Sequence, residues 1–176
     1  LTIEWFIVKK PTLIGMASGA ISGLVGITPA SGYVDVTGAL AIGLLSGIVG
    51  YWGVVHLKSM MNHDDTLDAF GIHGLVGIFG ALATGIFANP EINNGAGLLY
   101  GNPGQLLVQA KAVLITIAYS GVATYVTWKL SSVLTSGGRI EEKLELEGMD
   151  IGYHGEHHII IGDSQVLSKS DSTAFN

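Results

Sequence analysis

The chain has 176 residues, of which 48% are hydrophobic and only 12% charged, with 26 glycines and a mean hydropathy of +0.50. Soluble domains carry about 25% charged residues, so this balance excludes an ordinary soluble domain and marks an all-α integral membrane protein. The formal charge of -6 sits mostly after Arg139, the absence of cysteine excludes disulfides and thiolate metal sites, and no basic stripe points to nucleic acid.

The opening stretch LTIEWFIVKKPT lacks an initiator Met and the basic start, short apolar core and small-residue cleavage site of a signal peptide. The chain is therefore expected to begin inside a longer protein. Apolar segments come next at about 12–32, 36–56, 67–88 and 104–134, each near or above the ~20 residues that a spanning helix needs. Residues 1–136 form the transmembrane part, 137–156 a cytoplasmic tail, and 157–176, rich in Ser, Thr, Asp and Lys, a disordered end.

In the first span, Gly15, Gly19 and Gly23 recur at helical spacing, as do Gly43 and Gly47 in the second. Lipid offers no hydrophobic drive for helices to associate, so small residues that let backbones approach supply dispersion instead. Thr28 precedes Pro29 where the first span ends, and its hydroxyl is placed to help satisfy the carbonyl that Pro29 frees. A pore-lining role for Thr28 is the secondary reading. Trp52 reads as a packing or interfacial aromatic.

Asp64, Asp65 and Asp68 stand at the start of the third span, where the helix macrodipole favours carboxylates by roughly 0.3 to 1 kcal/mol each. Capping accounts for them, and a pathway-exit role for Asp65 or Asp68 is secondary. The span repeats glycine at Gly71, Gly74, Gly77 and Gly80, and His73 is its one titratable side chain between Ala69 and Phe87. Hydrocarbon holds no water for the ring nitrogens, so an ionisable residue at this depth points to a permeation path or proton relay, with the ring in a narrow inward-facing cavity. No second histidine lies within a span: His56 and His63 flank the loop before the third span, and His154, His157 and His158 lie in the tail. Three or four converging ligands are thus missing and no metal site is expected.

The loop PEINNGAGLLYGNPG is rich in turn residues, and Lys111 near the start of the fourth span is placed to snorkel to the headgroups. Tyr119 reads like Trp52. Lys9, Lys10, Lys58, Lys129, Arg139 and Lys143 flank one set of span ends, whereas loops 28–37 and 89–103 contain no Lys or Arg, so the basic ends and the tail are cytoplasmic. Arg139 to Glu147 reads as a charged helix continuing from the fourth span, stopped at Gly148 in a left-handed cap. Asp150, His154 and Glu156 are then placed to pair with basic groups on cytoplasmic loops; a merely solvated acidic tail is the alternative.

Three motifs carry a resemblance: GITPA at the end of the first span, D-x-F-x-x-H-G over 68–74, and G-x-D-x-x-x-H-G-E over 148–156. With their surroundings they cover almost all of residues 1–156, and the chain resembles the C-terminal part of an ammonium transporter of the ammonium/methylammonium permease and Rh family. The resemblance implies an eleven-helix inverted-repeat fold of which this is the last four spans, a homotrimer in the plasma membrane with one pore per subunit, and no enzymatic activity or cofactor. It makes His73 the second of two stacked pore histidines, the first lying upstream with the outer recruitment site and phenylalanine gate. It also makes Arg139, Gly148, Asp150, His154, Gly155 and Glu156 a regulatory tail that couples subunits and docks a PII-type nitrogen signalling protein.

The chemistry of His73 agrees with that family. Ammonium entering a narrow apolar pore unpaired meets a large desolvation penalty, and loss of its proton becomes the cheaper route. An imidazole, with an unperturbed pKa of about 6.5, can accept a hydrogen bond from the nitrogen or pass its proton to a second imidazole. The function expected is inward ammonium transport as separated ammonia and proton; the alternatives are an Rh-like electroneutral ammonia or gas channel, and an ammonium sensor or regulatory scaffold.

Overall fold

The computed structural model describes residues 2–61, 65–135, 137–152 and 154, which are helical and loop with no strand among them. Asn62 to Asp64, and Gly155 onward with Glu156 and the expected disordered end, lie outside the described residues. The chain divides into two units, Leu1–Val122 and Ala123–Asn176.

The first unit opens with a short helix α1 (Thr2–Val8) and continues as α2 (Leu13–Ile27) and α3 (Val36–Trp52). The start of α2 is explained by its cap: the Thr12 hydroxyl accepts from the Gly15 N–H at 2.9 Å and itself donates to Glu4 at 3.0 Å. The Thr12 N–H, first, and that hydroxyl, second, hold the Glu4 carboxyl below its ordinary value of 4.5. Asp35 caps α3 likewise, accepting from Gly38 N–H at 2.8 Å.

The helix of α3 does not stop at Trp52. It passes through a π-helical turn, Gly53–Leu57, into α4 (Lys58–Met61), so the second apolar helix runs about five residues beyond its expected end. After the loop a second π-helical turn, Phe70–Leu75, leads into α5 (Val76–Phe87). The helix α6 (Gly104–Leu134) comes next; at 1.5 Å per residue its 31 residues measure ~46 Å. Among the described residues, four helices are long and apolar enough to cross a membrane: Leu13–Ala30, Val36–Met61, Phe70–Phe87 and Gly104–Leu134.

Packing in the first unit turns on a repeated pentapeptide, SGLVG at 22–26 and SGIVG at 46–50. Ser22 of α2 lies against Gly50 of α3, and Ser46 of α3 lies against Gly26 of α2, so each glycine makes room for the other helix's serine. Both hydroxyls turn back on their own helix, Ser22 to the Ser18 carbonyl at 2.8 Å and Ser46 to the Ile42 carbonyl at 2.7 Å, which satisfies them without water. Val76, fully buried, closes the junction: its methyls lie 3.3 and 3.4 Å from where β-carbons on Gly26 and Gly50 would stand. A second cluster of Ala30, Ile42 and Ala83, flanked by Phe79 and Phe87, packs the end nearer the 89–103 loop.

In the second unit the sequence expectation of one continuous charged helix is corrected. The chain breaks after Leu134 at Gly137 and Gly138, both at positive φ (125° and 70°), before α7 (Glu142–Glu147) begins. A glycine pair leaves the helix readily because neither residue has a β-carbon to oppose positive φ. Gly148 ends α7 at positive φ (90°), yet with ψ 131° it lies outside the left-handed helical region. The short α8 (Met149–Gly152) completes the described helices.

Candidate functional site

His73 lies in the π turn Phe70–Leu75. Such turns insert one residue into an α-helix, and at 3.6 residues per turn that rotates every later side chain by about 100°. The backbone before it is unusual. Asp68 stands at φ 56°, a conformation rare for residues with a side chain, and its carbonyl accepts from Ile72 N–H at 3.0 Å. Asp65 caps the turn, its carboxylate accepting from the Ala69 and Phe70 N–H groups at 2.8 and 2.9 Å.

The three aspartates grouped as capping residues therefore part company. Asp65 caps; Asp68 instead pairs with Lys58, Nζ to Oδ1 2.7 Å; and Asp64 lies outside the described residues. Asp68 stays at the helix start, where its carbonyl accepts from Ile72 N–H, while its carboxylate turns to Lys58 on the preceding helix.

The imidazole of His73 is exposed, and its ring makes no hydrogen bond to any described residue. The expected narrow cavity around it is not formed by these residues. Its neighbours in sequence, Gly71 and Ile72, are buried against the other helices, so the ring occupies the face those helices leave uncovered. Gly77, one helical turn on, likewise has nothing within 4 Å of where a β-carbon would stand. A cavity of about 490 Å³ does lie between α2 and α3, walled by Gly15, Gly19, Gly43 and Gly47 and reached by Glu4 and Asp68; His73 is not in its wall.

Thr28 is exposed in the 3₁₀ turn Thr28–Ala30 and donates its hydroxyl to the Leu24 carbonyl at 2.6 Å. The carbonyl four residues before Pro29, that of Val25, is met instead by the Thr28 N–H, which it shares with Leu24. His73 and Thr28 are not brought together: Gly80 is the residue of α5 that packs on Gly26, and His73 lies seven residues before it, roughly 10 Å of helix rise.

In the tail, Arg139 forms a fork with Glu145, Nη2 to Oε1 2.9 Å and Nε to Oε2 3.3 Å, a pairing local to the second unit. Asp150 and His154 are exposed, the latter donating its N–H to the Met149 carbonyl at 3.2 Å. Gly155 and Glu156 lie outside the described residues. No group of three or more His, Asp or Glu able to hold a metal occurs among the described residues.

Sequence reasoning passed over the Lys58–Asp68 pair and both π turns. The first had a signal, opposite charges flanking a short loop between apolar helices. The π turns had none.

Residues 1–159 match the Ammonium Transporter Family. The chain is 45% identical over 153 residues to an ammonium transporter of Aquifex aeolicus, covering 87% of this chain and 36% of that protein. It is 44% identical over 156 residues to ammonium transporter Amt1 of Archaeoglobus fulgidus, covering 89% and 39%. Against the crystal structure of Saccharomyces cerevisiae Mep2 the TM-score is 0.73 at 31% identity, over 81% of this chain and 33% of that one. The chain thus shares the Mep2 fold over that part and spans somewhat more than a third of the length of the relatives it matches.

Proposed function

We propose, from the premise that this chain belongs to the ammonium transporter family, that it carries ammonium across a membrane and that His73 lines the path. The carrying observation is the imidazole of His73, exposed and without a hydrogen-bonding partner among the described residues, in a span otherwise free of charge from Ala69 to Phe87. In hydrocarbon such a ring is costly, so its open face calls for a polar path or further protein. The relatives are long enough to supply that protein, and a second titratable group there would complete a relay.

In this reading ammonium loses its proton at the entrance to the apolar path, ammonia passes, and the proton travels by way of the ring at position 73. The glycine at 77 keeps the next turn of that face open. Asp68, held by Lys58, and Thr28, bonded to its own helix, support the helix ends and do not take part in the relay.

The protein resides in the plasma membrane as a homotrimer, with its basic span ends and tail cytoplasmic. Near the end of α6 the Lys129 ammonium lies 5.1 Å from the Trp128 ring, a pairing that suits a membrane surface on either side; the side follows from the bias of Lys and Arg among the loops. The tail couples subunits and receives a PII-type partner.

The test is an ammonium pulse applied to protein reconstituted in liposomes, with current and uptake recorded together. Uptake with current supports the reading. Uptake without current returns the Rh-like electroneutral channel, and neither returns the sensor.

A further inference from the structure

The two π turns touch backbone to backbone. A β-carbon on Gly53 would stand 3.0 Å from the Gly71 carbonyl oxygen, and one on Gly71 would stand 3.0 Å from both the Gly53 carbonyl carbon and the Val54 nitrogen. Both glycines are buried, and the Leu75 and Val54 side chains close the edge of the contact, 3.0 Å and 3.2 Å from where β-carbons on Gly53 and Gly71 would stand. Five residues after Gly53 and three before Gly71, Lys58 and Asp68 meet at 2.7 Å. The turns are therefore tied at two points, one by backbone contact and one by charge.

Neither point alone fixes the second turn. The glycine contact resists approach, and against rotation it offers only the Leu75 and Val54 side chains at its edge. Asp68 supplies what is missing: its carboxylate is anchored on the first helix while its carbonyl, through Ile72 N–H, opens the second turn. The positive φ of Asp68 is a left-handed conformation that Asp adopts more readily than most residues, and its contacts with Lys58 and Ile72 hold it there. Asp65 holds the same turn from its own side, through the Ala69 and Phe70 N–H groups. A π turn released from such constraints relaxes toward α-helix, and that change rotates the side chains after the turn by about 100° relative to those before it, and the side chain at 73, inside the turn, by part of that.

We propose that the Lys58–Asp68 ion pair is a positioning device for His73: it holds the second π turn in register against the first and so fixes the direction of the imidazole. The inference rests on the reading of His73 as a path residue. Neither Lys58 nor Asp68 touches the transported species in this role. They act through the ring.

The experiment uses the full chain in liposomes and reads the charge moved per ammonia taken up. A merely structural defect lowers current and uptake by one factor and leaves this ratio unchanged, whereas a misdirected ring lowers the ratio. Asp68→Asn and Lys58→Met are expected to cut current by about 10- to 100-fold, the scale of a small misplacement of a reacting group, with uptake falling less. Lys58→Arg, which keeps the charge, should retain the native ratio, and so should the exchange of the two residues, at least in part. Asp68→Asn added to His73→Ala should lower the ratio no further, because both act through one ring.

An unchanged ratio in Asp68→Asn and Lys58→Met, or a further loss when Asp68→Asn joins His73→Ala, overturns the proposal. If Asp68→Asn does not fold, the contrast between Lys58→Met and Lys58→Arg decides it. Should His73→Ala itself keep the native ratio, the path reading of His73 falls. Should His73→Ala lower the ratio while the ion-pair variants do not, only the positioning role falls.

Discussion

Gly77 and Gly80 lie three residues apart on α5 and invite one substitution with opposite outcomes. A β-carbon at Gly80 would stand 3.0 Å from both the Cα and the carbonyl carbon of Gly26, and nearer still to its carbonyl oxygen. All three atoms are backbone, so no rotamer relieves the clash and α2 must part from α5 by roughly half an ångström or more to restore ordinary contact. Overpacking of this kind costs about 1–3 kcal/mol. At Gly77 nothing described lies within 4 Å, so Ala adds no clash there. The gain in helix propensity, about 1 kcal/mol, is common to both variants and cancels in their difference. Gly80→Ala should therefore be about 1–3 kcal/mol less stable than Gly77→Ala, roughly 5- to 150-fold in the unfolding equilibrium. Reversible unfolding in mixed micelles, followed by tryptophan fluorescence, measures the gap. Equal stability of the two variants would refute the backbone contact between α2 and α5.

The tail and the topology give two more predictions. Gly148 ends α7 at φ 90°, so Gly148→Ala should cost about 1 kcal/mol locally and lower transport with no pore residue altered; full uptake by the variant would return the tail to a solvated end. The chain has no cysteine, so single cysteines report cleanly: one at Lys58 should react only from the cytoplasmic side and one at Asn93 only from outside, and the reverse pattern would invert the orientation.

How much of the structure is legible in the sequence depends on the range of the forces involved. Hydropathy is summed over a whole span, and the four apolar runs place four long helices to within a few residues. Thr12 and Asp35, which sequence reasoning passed over, were readable as caps because a hydroxyl or carboxylate three residues before a glycine N–H acts locally. The π turns are another matter. Each presses a glycine, Gly53 or Gly71, against the backbone of the other, and nothing within either segment records the partner. Lys58 and Asp68 did leave a signal, opposite charges flanking a short loop, but their pairing depends on how the two helices meet. In the tail, Gly137 and Gly138 did carry a readable break, and the run of charge after them masked it. The SGLVG and SGIVG pair was also legible as a repeat, since each serine needs a glycine on the other helix. His73 stands out by composition alone, while the direction of its ring depends on a turn that composition does not announce.

The most direct measurement is the ammonium-driven current of His73→Ala in liposomes, with uptake recorded in parallel. Alanine adds little strain beside Gly71, Gly74 and Gly77, so the helix should persist while the proton route is lost or redirected. A marked loss of charge moved per ammonia taken up is the expected result. A current and an uptake both equal to those of the unaltered protein would contradict the role of His73 in the path.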